Sequence, residues 1–151
     1  MSFFKNLFDK KESDSDTLKQ DNRPEYAIST LKVMKEIDII TEAVLAAEDI
    51  YTNKGYEVYH VQELATELPQ LQLMKNENKI LVYIDYSRKR EGMDDIFDKD
   101  KISNFIKHAA ENSSDCLVVI VNIDDPKNQK ELYFGESYSY SITEQFYPIL
   151  L

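Results

Sequence analysis

Residue types that commonly perform chemistry are few in this chain and stand apart from one another. The two histidines, His60 and His108, are far apart in sequence, and neither has a second histidine or a cysteine at the spacing of a zinc site. The single cysteine, Cys116, opens an apolar run and is expected to pack there as a small apolar side chain. These residues therefore predict no catalytic group, no metal site and no cofactor.

Carboxylates are crowded in a charged segment that begins at Ser87. Four aspartates follow one another closely there: Asp94, Asp95, Asp98 and Asp100. A calcium loop would also need a central glycine and a terminal glutamate, which this segment lacks. A negatively charged loop at the start of a helix explains the run more simply, because carboxylates stabilise the positive end of a helix dipole. The run is therefore interpreted as a charged loop at the start of the second helix.

Hydrophobic spacing predicts the elements that position these residues. Apolar side chains recur at alternating spacings of four and three from Val33 to Tyr51, which predicts a helix over 30–54, capped by Ser29 or Thr30 and ended by Gly55. The period then changes to two over 56–61, which is typical of a strand. Apolar runs at 71–74 and 80–86 flank a short polar turn and predict an antiparallel hairpin.

The second half of the chain predicts a crossover unit. Asp98 or Asp100 can cap a second helix, whose buried stripe includes Ile102, Phe105 and Ala109. The continuously apolar run 116–123 is typical of a central strand, expected to lie parallel to 80–86. Alternation through Tyr138, Tyr140 and Ile142 suggests an edge strand. The predicted fold class is α/β, a mixed central sheet with helices on both faces, in the order helix, strand, hairpin, helix, strand.

Three short motifs on these elements resemble the restriction-endonuclease-like, or PD-(D/E)xK, nuclease family. Gly55-Tyr56 stands at the step from the helix into the first strand, Pro69-Gln70 stands where that family has Pro-Asp, and Asp85-Tyr86-Ser87 stands where it has acidic-x-Lys. The resemblance covers about residues 30–123. It implies the fold, but Gln70 replaces the first metal-binding carboxylate and Ser87 replaces the lysine.

Loss of those two groups argues against nuclease chemistry, which needs hard anionic oxygens to hold a divalent metal. A migrated site remains an alternative, in which Lys89 reaches back from the loop and Glu42 or Glu48 contributes from the helix. The sequence favours a binding role over an enzymatic one without deciding between them. Asp85 then caps the end of its strand or pairs with a neighbouring cation.

Charge and composition divide the chain into two parts. Residues 1–24 carry equal numbers of acidic and basic residues and read as a flexible tail, with an apolar face of Phe3, Phe4, Leu7 and Phe8. Residues 25–151 form one domain that carries the whole net charge of −10. No window of 18 apolar residues is present, three glycines leave little for a phosphate-binding loop, and one cysteine without an evident signal peptide favours the cytoplasm.

An acidic body favours a cationic protein partner and disfavours nucleic acid. The leading hypothesis is a bacterial, non-catalytic immunity or inhibitor protein that neutralises a basic toxin or nuclease. The alternatives are an active metal-dependent nuclease and a degenerate nuclease-fold subunit of a mobile-element or defence system. Membrane contact is expected only through residues 1–11, and no oligomeric state is predicted. The expected binding residues are Glu91, Asp94, Asp95, Asp98, Asp124 and Asp125.

Overall fold

A five-stranded mixed sheet carries helices on both of its faces, as the sequence predicts. The computed structural model describes residues 31–149, so the predicted tail, with its apolar tip, lies outside the described residues. In chain order the elements are α1 (Glu36–Asn53), β1 (Glu57–His60), β2 (Leu71–Lys75), β3 (Asn78–Ser87), α2 (Met93–Ile96), α3 (Lys99–Glu111), β4 (Asp115–Asp124) and β5 (Ser139–Tyr147). Within 31–149, no helix is both long enough and apolar enough to cross a membrane.

The strands lie side by side in the order of the chain, from β1 at one edge to β5 at the other. All neighbours are antiparallel except β3 and β4, which run parallel, with Leu81 opposite Cys116 and Ser87 opposite Asn122. The predicted hairpin and the predicted parallel pair are both confirmed. The hairpin turns at Asn76 and Glu77, whose φ angles of 53° and 69° match the twist of the flanking strands.

Helix α1 begins later than predicted, and the expected helix over residues 31–35 is wrong. The amide of Met34 donates to the carbonyl of Leu132, and the amide of Phe134 donates to the carbonyl of Lys32, so this stretch is held extended against a distant loop. The helix starts only after Lys35, whose amide donates to the carboxylate of Asp38. Its end agrees with the sequence, since Gly55 has a φ of 96° and leaves the helical path.

Strand alternation assigns each face of the sheet to one helix. Helix α1 buries Val44, Ala47 and Tyr51 against Leu73 and Val82. On the opposite face, α3 buries Phe105 and Ala109 against a cluster that contains Leu81, Tyr83 and Val118. In β3, the even-numbered side chains therefore point towards α1 and the odd-numbered ones towards α3.

Candidate protein-binding surface

Gln70, at the position of the missing first carboxylate, is buried and serves the sheet. Its side-chain amide donates to the carbonyls of Ala65 and Ile84, at 2.9 and 2.8 Å, and its side-chain oxygen accepts from the amide of Ile84 at 2.8 Å. The main-chain amide of Gln70 also donates to Val82. Gln70 thus extends the pairing of β2 with β3 to the residue before the start of β2, and all of these bonds stay within the protein.

Ser87, where the nuclease pattern has a lysine, holds the loop that follows β3. Its hydroxyl accepts from the amides of Lys89 and Glu91, at 3.3 and 3.0 Å, and the residue is buried. A hydroxyl in this position orders the chain between β3 and α2. The side chain is therefore engaged in local structure, as that of Gln70 is.

Asp85 is the one acidic group of the nuclease pattern that is present, and it lies on the α3 side of β3. Burial raises its pKa, while the amide of Tyr86, which donates to its carboxylate at 2.8 Å, and the charge of Lys101 act in the opposite direction. A carboxylate with a raised pKa holds its charge less firmly than a solvated one. A single such group is a poor ligand for a hard cation.

No group of three histidine, cysteine, aspartate or glutamate side chains within residues 31–149 is placed to hold a metal ion. Glu42 and Glu48, the acidic residues proposed for a migrated site, belong to α1, which packs on the opposite face of the sheet from Asp85. Glu48 is paired there with His60, at 3.0 Å. Cys116 is buried, and burial raises the pKa of its thiol to about 12, which agrees with an inert apolar role.

The predicted contact loop is exposed, but several of its carboxylates have local structural roles. Asp98 caps α3, because its carboxylate accepts from the amide of Lys101 at 2.7 Å, and Asp95 accepts from the amide of Gly92 at 3.2 Å. Glu91 and Asp94 are exposed beside them. Glu91, Asp94, Asp95 and Asp98 are thus all exposed in the short segment that runs from the end of β3 through α2 to the start of α3.

Asp124 and Asp125, also predicted to bind a partner, are paired with arginines. The guanidinium of Arg90 contacts the carboxylate of Asp124 at 2.7 Å, and that of Arg88 lies 3.9 Å from the carboxylate of Asp125. The carboxylate of Asp125 also accepts from the amides of Lys127 and Gln129. The segment 87–101 contains five basic residues beside five acidic ones, so this region as a whole is neutral.

Acidity is concentrated instead in one stretch that runs from α1 through β1 to the loop before β2. Residues 36–67 hold eight carboxylates and a single lysine, for a net charge of −7. The helix contributes five of these acids and no basic residue. No lysine or arginine occurs between 55 and 74. Most of the net charge of the protein therefore belongs to α1 and the β1 edge of the sheet.

Exposed apolar side chains lie in and directly after this acidic stretch, and the sequence pattern did not predict their exposure. Among residues 31–149, seven large apolar side chains are exposed, and four of them fall in 59–68: Tyr59 (48%), Val61 (40%), Leu64 (53%) and Leu68 (40%). The loop that carries them is closed, since the amide of Val61 donates to Gln70 and the side-chain amide of Gln62 donates to Leu68. The available signal was apolar residues interspersed with glutamates in VQELATEL.

A groove of about 460 Å³ lies on the α1 side of the sheet, between the end of α1 and the β2–β3 turn. The ammonium groups of Lys54 and Lys75 lie over the rings of Tyr51 and Tyr56, at 5.3 and 5.1 Å. The Tyr51 hydroxyl donates to Glu144, which lies 3.8 Å from Lys54. The charged residues that line the groove are Lys54, Lys75, Asp115 and Glu144, so the groove has no net charge.

Comparison with known proteins places the chain in a family. No curated protein and no solved structure matches it. Residues 38–145, which run from the first turn of α1 almost to the end of β5, match the family model described as a domain of unknown function, DUF8840. The matched range contains all but the first two residues of the acidic stretch 36–67, and it contains the apolar loop and the three nuclease-like motifs. Because it spans well over half of the chain, this protein belongs to the DUF8840 family.

Proposed function

We propose that this chain is a non-catalytic binding protein of the immunity or inhibitor type, which neutralises a basic protein partner such as a toxin or nuclease. The observation that carries the proposal is the concentration of charge: residues 36–67 hold a net charge of −7. Such a surface accelerates encounter with a cationic protein through long-range attraction. It repels nucleic acid, whose phosphates carry the same sign.

The hydrogen bonds made by Gln70 and Ser87, at two of the nuclease-like positions, support a binding role over cleavage. Gln70 and Ser87 direct their polar atoms to neighbouring backbone groups. A hydrolytic site would need those positions to present ligands and a proton donor to substrate and metal. A bacterial cytoplasm, where a lone thiol such as Cys116 stays reduced, is the compartment we propose.

A second candidate is a degenerate nuclease-fold subunit of a mobile-element or defence system. The order of the elements favours it, since a helix, three antiparallel strands, a crossover helix and a parallel strand carry the nuclease-like motifs at the expected steps. Such a subunit would act as a scaffold, and we would expect it to bind another member of its assembly. An active nuclease with a migrated site would instead require metal-dependent cleavage.

The proposal is tested with purified bacterial nuclease-toxin domains, one panel with isoelectric points above about 9 and a matched acidic panel. Plasmid cleavage by each domain is measured with and without an equimolar amount of this protein. Association rates are measured at low and at physiological salt. We expect at least one basic domain to lose its activity, with an association rate that falls as salt shortens the Debye length to about 8 Å at 0.15 M.

Two results would contradict the proposal. One is that no basic domain binds more tightly than the acidic ones. The other is that the protein alone cleaves plasmid with Mg²⁺ or Mn²⁺ and loses this activity in Asp85→Ala. The second result would establish the nuclease alternative.

A further inference from the structure

The β1 edge of the sheet has a face that no described helix covers. Residues Glu57 and Tyr59 of β1 lie opposite Met74 and Gln72 of β2, so these four side chains share one face. It is the same face on which α3 packs, because Gln72 lies opposite Leu81. Helix α3 packs over β3 and β4, and Tyr59 remains 48% exposed. We call this face, together with the loop 61–68, the β1 shelf.

The β1 shelf combines apolar contact area with negative charge. Its apolar members are Tyr59, Val61, Leu64 and Leu68, and its acidic members are Glu57, Glu63 and Glu67. Tyrosine and leucine supply contact area for protein association, and acidic groups around them select a partner of opposite charge. The Tyr59 hydroxyl donates to the Glu57 carboxylate at 2.7 Å, so an apolar ring and a negative charge lie side by side on the shelf.

An open strand edge borders the β1 shelf. Strand β1 stands at the end of the sheet and pairs with β2 alone among the described strands. An extended chain placed along its outer side would continue the sheet beyond β1, which is the geometry of strand addition. Every second side chain of a strand added there would lie on the same face of the sheet as Tyr59.

We propose that the β1 shelf docks an extended, basic segment of a protein partner, in which lysine or arginine alternates with apolar residues. This inference rests on the proposed function and names the surface that the basic partner would use. Charge favours a basic partner over a second copy of this chain. A second copy carries a net charge of −10 and would be repelled by the carboxylates of the shelf. A cationic segment would be attracted by the same carboxylates.

The test uses the full chain, labelled with ¹⁵N, and two eight-residue peptides, one of alternating lysine and valine and one of alternating glutamate and valine. Backbone amide shifts are followed during titration at low salt. We expect the lysine peptide to shift amides in 57–68 and to protect outward amides of β1 from hydrogen exchange. The glutamate peptide should leave them unchanged.

Matched variants assign the binding to the shelf. Tyr59→Ser with Leu64→Ser removes two exposed apolar side chains and should weaken binding of the lysine peptide roughly tenfold. Ile37→Ser with Phe146→Ser removes two side chains of comparable exposure elsewhere and should change it less than about twofold. A charge variant, Glu57→Gln with Glu63→Gln and Glu67→Gln, keeps the side-chain volume and should flatten the salt dependence.

Several outcomes would overturn the inference. Shifts centred on 87–101, equal binding of the glutamate peptide, or equal weakening by both serine pairs would remove the shelf as the docking surface. So would contacts showing that residues 1–11 of the same chain already occupy it in the free protein. Failure here, with a basic toxin domain still inhibited, would leave the proposed function standing. Failure of the toxin panel, with the peptide still bound to the shelf, would remove only the immunity role.

Discussion

At the scale of single residues, polar groups near the nuclease-like motifs are used to complete the sheet. Gln70 makes three side-chain hydrogen bonds to backbone groups of Ala65 and Ile84. A carboxylate in its place would lose the two donated bonds and bring a buried charge. The position therefore explains why an amide, and not an acid, follows Pro69 in this sequence.

Replacing Gln70 by alanine should lower the free energy of unfolding by about 2–4 kcal/mol. The reason is that the buried amide and carbonyl of Ile84 would both lose a partner, and unsatisfied buried groups are costly. Urea denaturation followed by circular dichroism measures this. Gln72→Ala, two residues further along in β2 and half-buried, is the control and should cost much less. Equal effects of the two changes would mean that the bonds of Gln70 contribute little.

Asp85→Asn should stabilise the protein at neutral pH and not at acidic pH. Burial raises the folded-state pKa of Asp85, so the native protein holds this proton more tightly than the unfolded chain. The resulting penalty develops as pH rises from the unfolded value of about 4 through the higher native value, and it is complete above it. Asparagine keeps the acceptor for the amide of Tyr86 without the charge.

We expect the variant to melt at a higher temperature than the native protein at pH 7 and at about the same temperature at pH 4. Scanning calorimetry at the two pH values measures the difference. A lower melting temperature at pH 7 would show that attraction to Lys101 outweighs burial, and that Asp85 is kept as a stabilising charge.

At the scale of the elements, local patterns predict most of the fold, and long-range pairing explains what they miss. The end of α1 at Gly55, the hairpin and the parallel β3–β4 pair all follow from local signals. The start of α1 does not, because Met34 bonds to Leu132, far away in the chain. The ion pairs of Asp124 and Asp125 join distant segments in the same way.

The binding surface was harder to predict than the fold for a related reason. Whether Tyr59 is covered depends on how far α3 reaches across the sheet, and its sequence pattern indicates only which of its sides is buried. The glutamates between Val61 and Leu68 make this segment resemble an ordinary polar loop between two strands. Only packing shows that these apolar side chains are exposed together.

Asp98 allows a capping role to be separated from a charge role at the start of α3. Its carboxylate accepts from the amide of Lys101, so Asp98→Ala should cost about 1 kcal/mol of stability. Asp98→Asn should cost little, because asparagine caps helices about as well. Thermal denaturation of both variants measures this. If asparagine proved as damaging as alanine, the charge near the helix dipole would be the important feature.

At the scale of the whole molecule, charge is unevenly distributed, and this unevenness makes the binding proposal specific. Residues 36–67 carry a net charge of −7, whereas 87–101 is balanced by its own lysines and arginines. Long-range attraction depends on the sum of nearby charges, so a carboxylate beside a guanidinium contributes little to it. Partners should therefore approach the side of the molecule that α1 and β1 form.

Two triple variants with equal charge change test which side a basic partner approaches. One carries Glu57→Gln, Glu63→Gln and Glu67→Gln, and the other carries Asp94→Asn, Asp95→Asn and Asp98→Asn. Both nearly keep side-chain volume, and asparagine at 98 keeps the helix cap. Association with a basic toxin domain that this protein inhibits is measured by stopped flow at several salt concentrations.

We expect the association rate to fall several-fold in the glutamine variant, with a flatter salt dependence, because charges around an interface act mainly on encounter. The asparagine variant should stay within about twofold of the native rate, since the cations around its loop already cancel that field. Dissociation should change much less in either case, because the apolar contacts are intact. The reverse result would return the interface to Glu91, Asp94, Asp95 and Asp98, and would mean that local carboxylate contacts outweigh the summed field of α1 and β1.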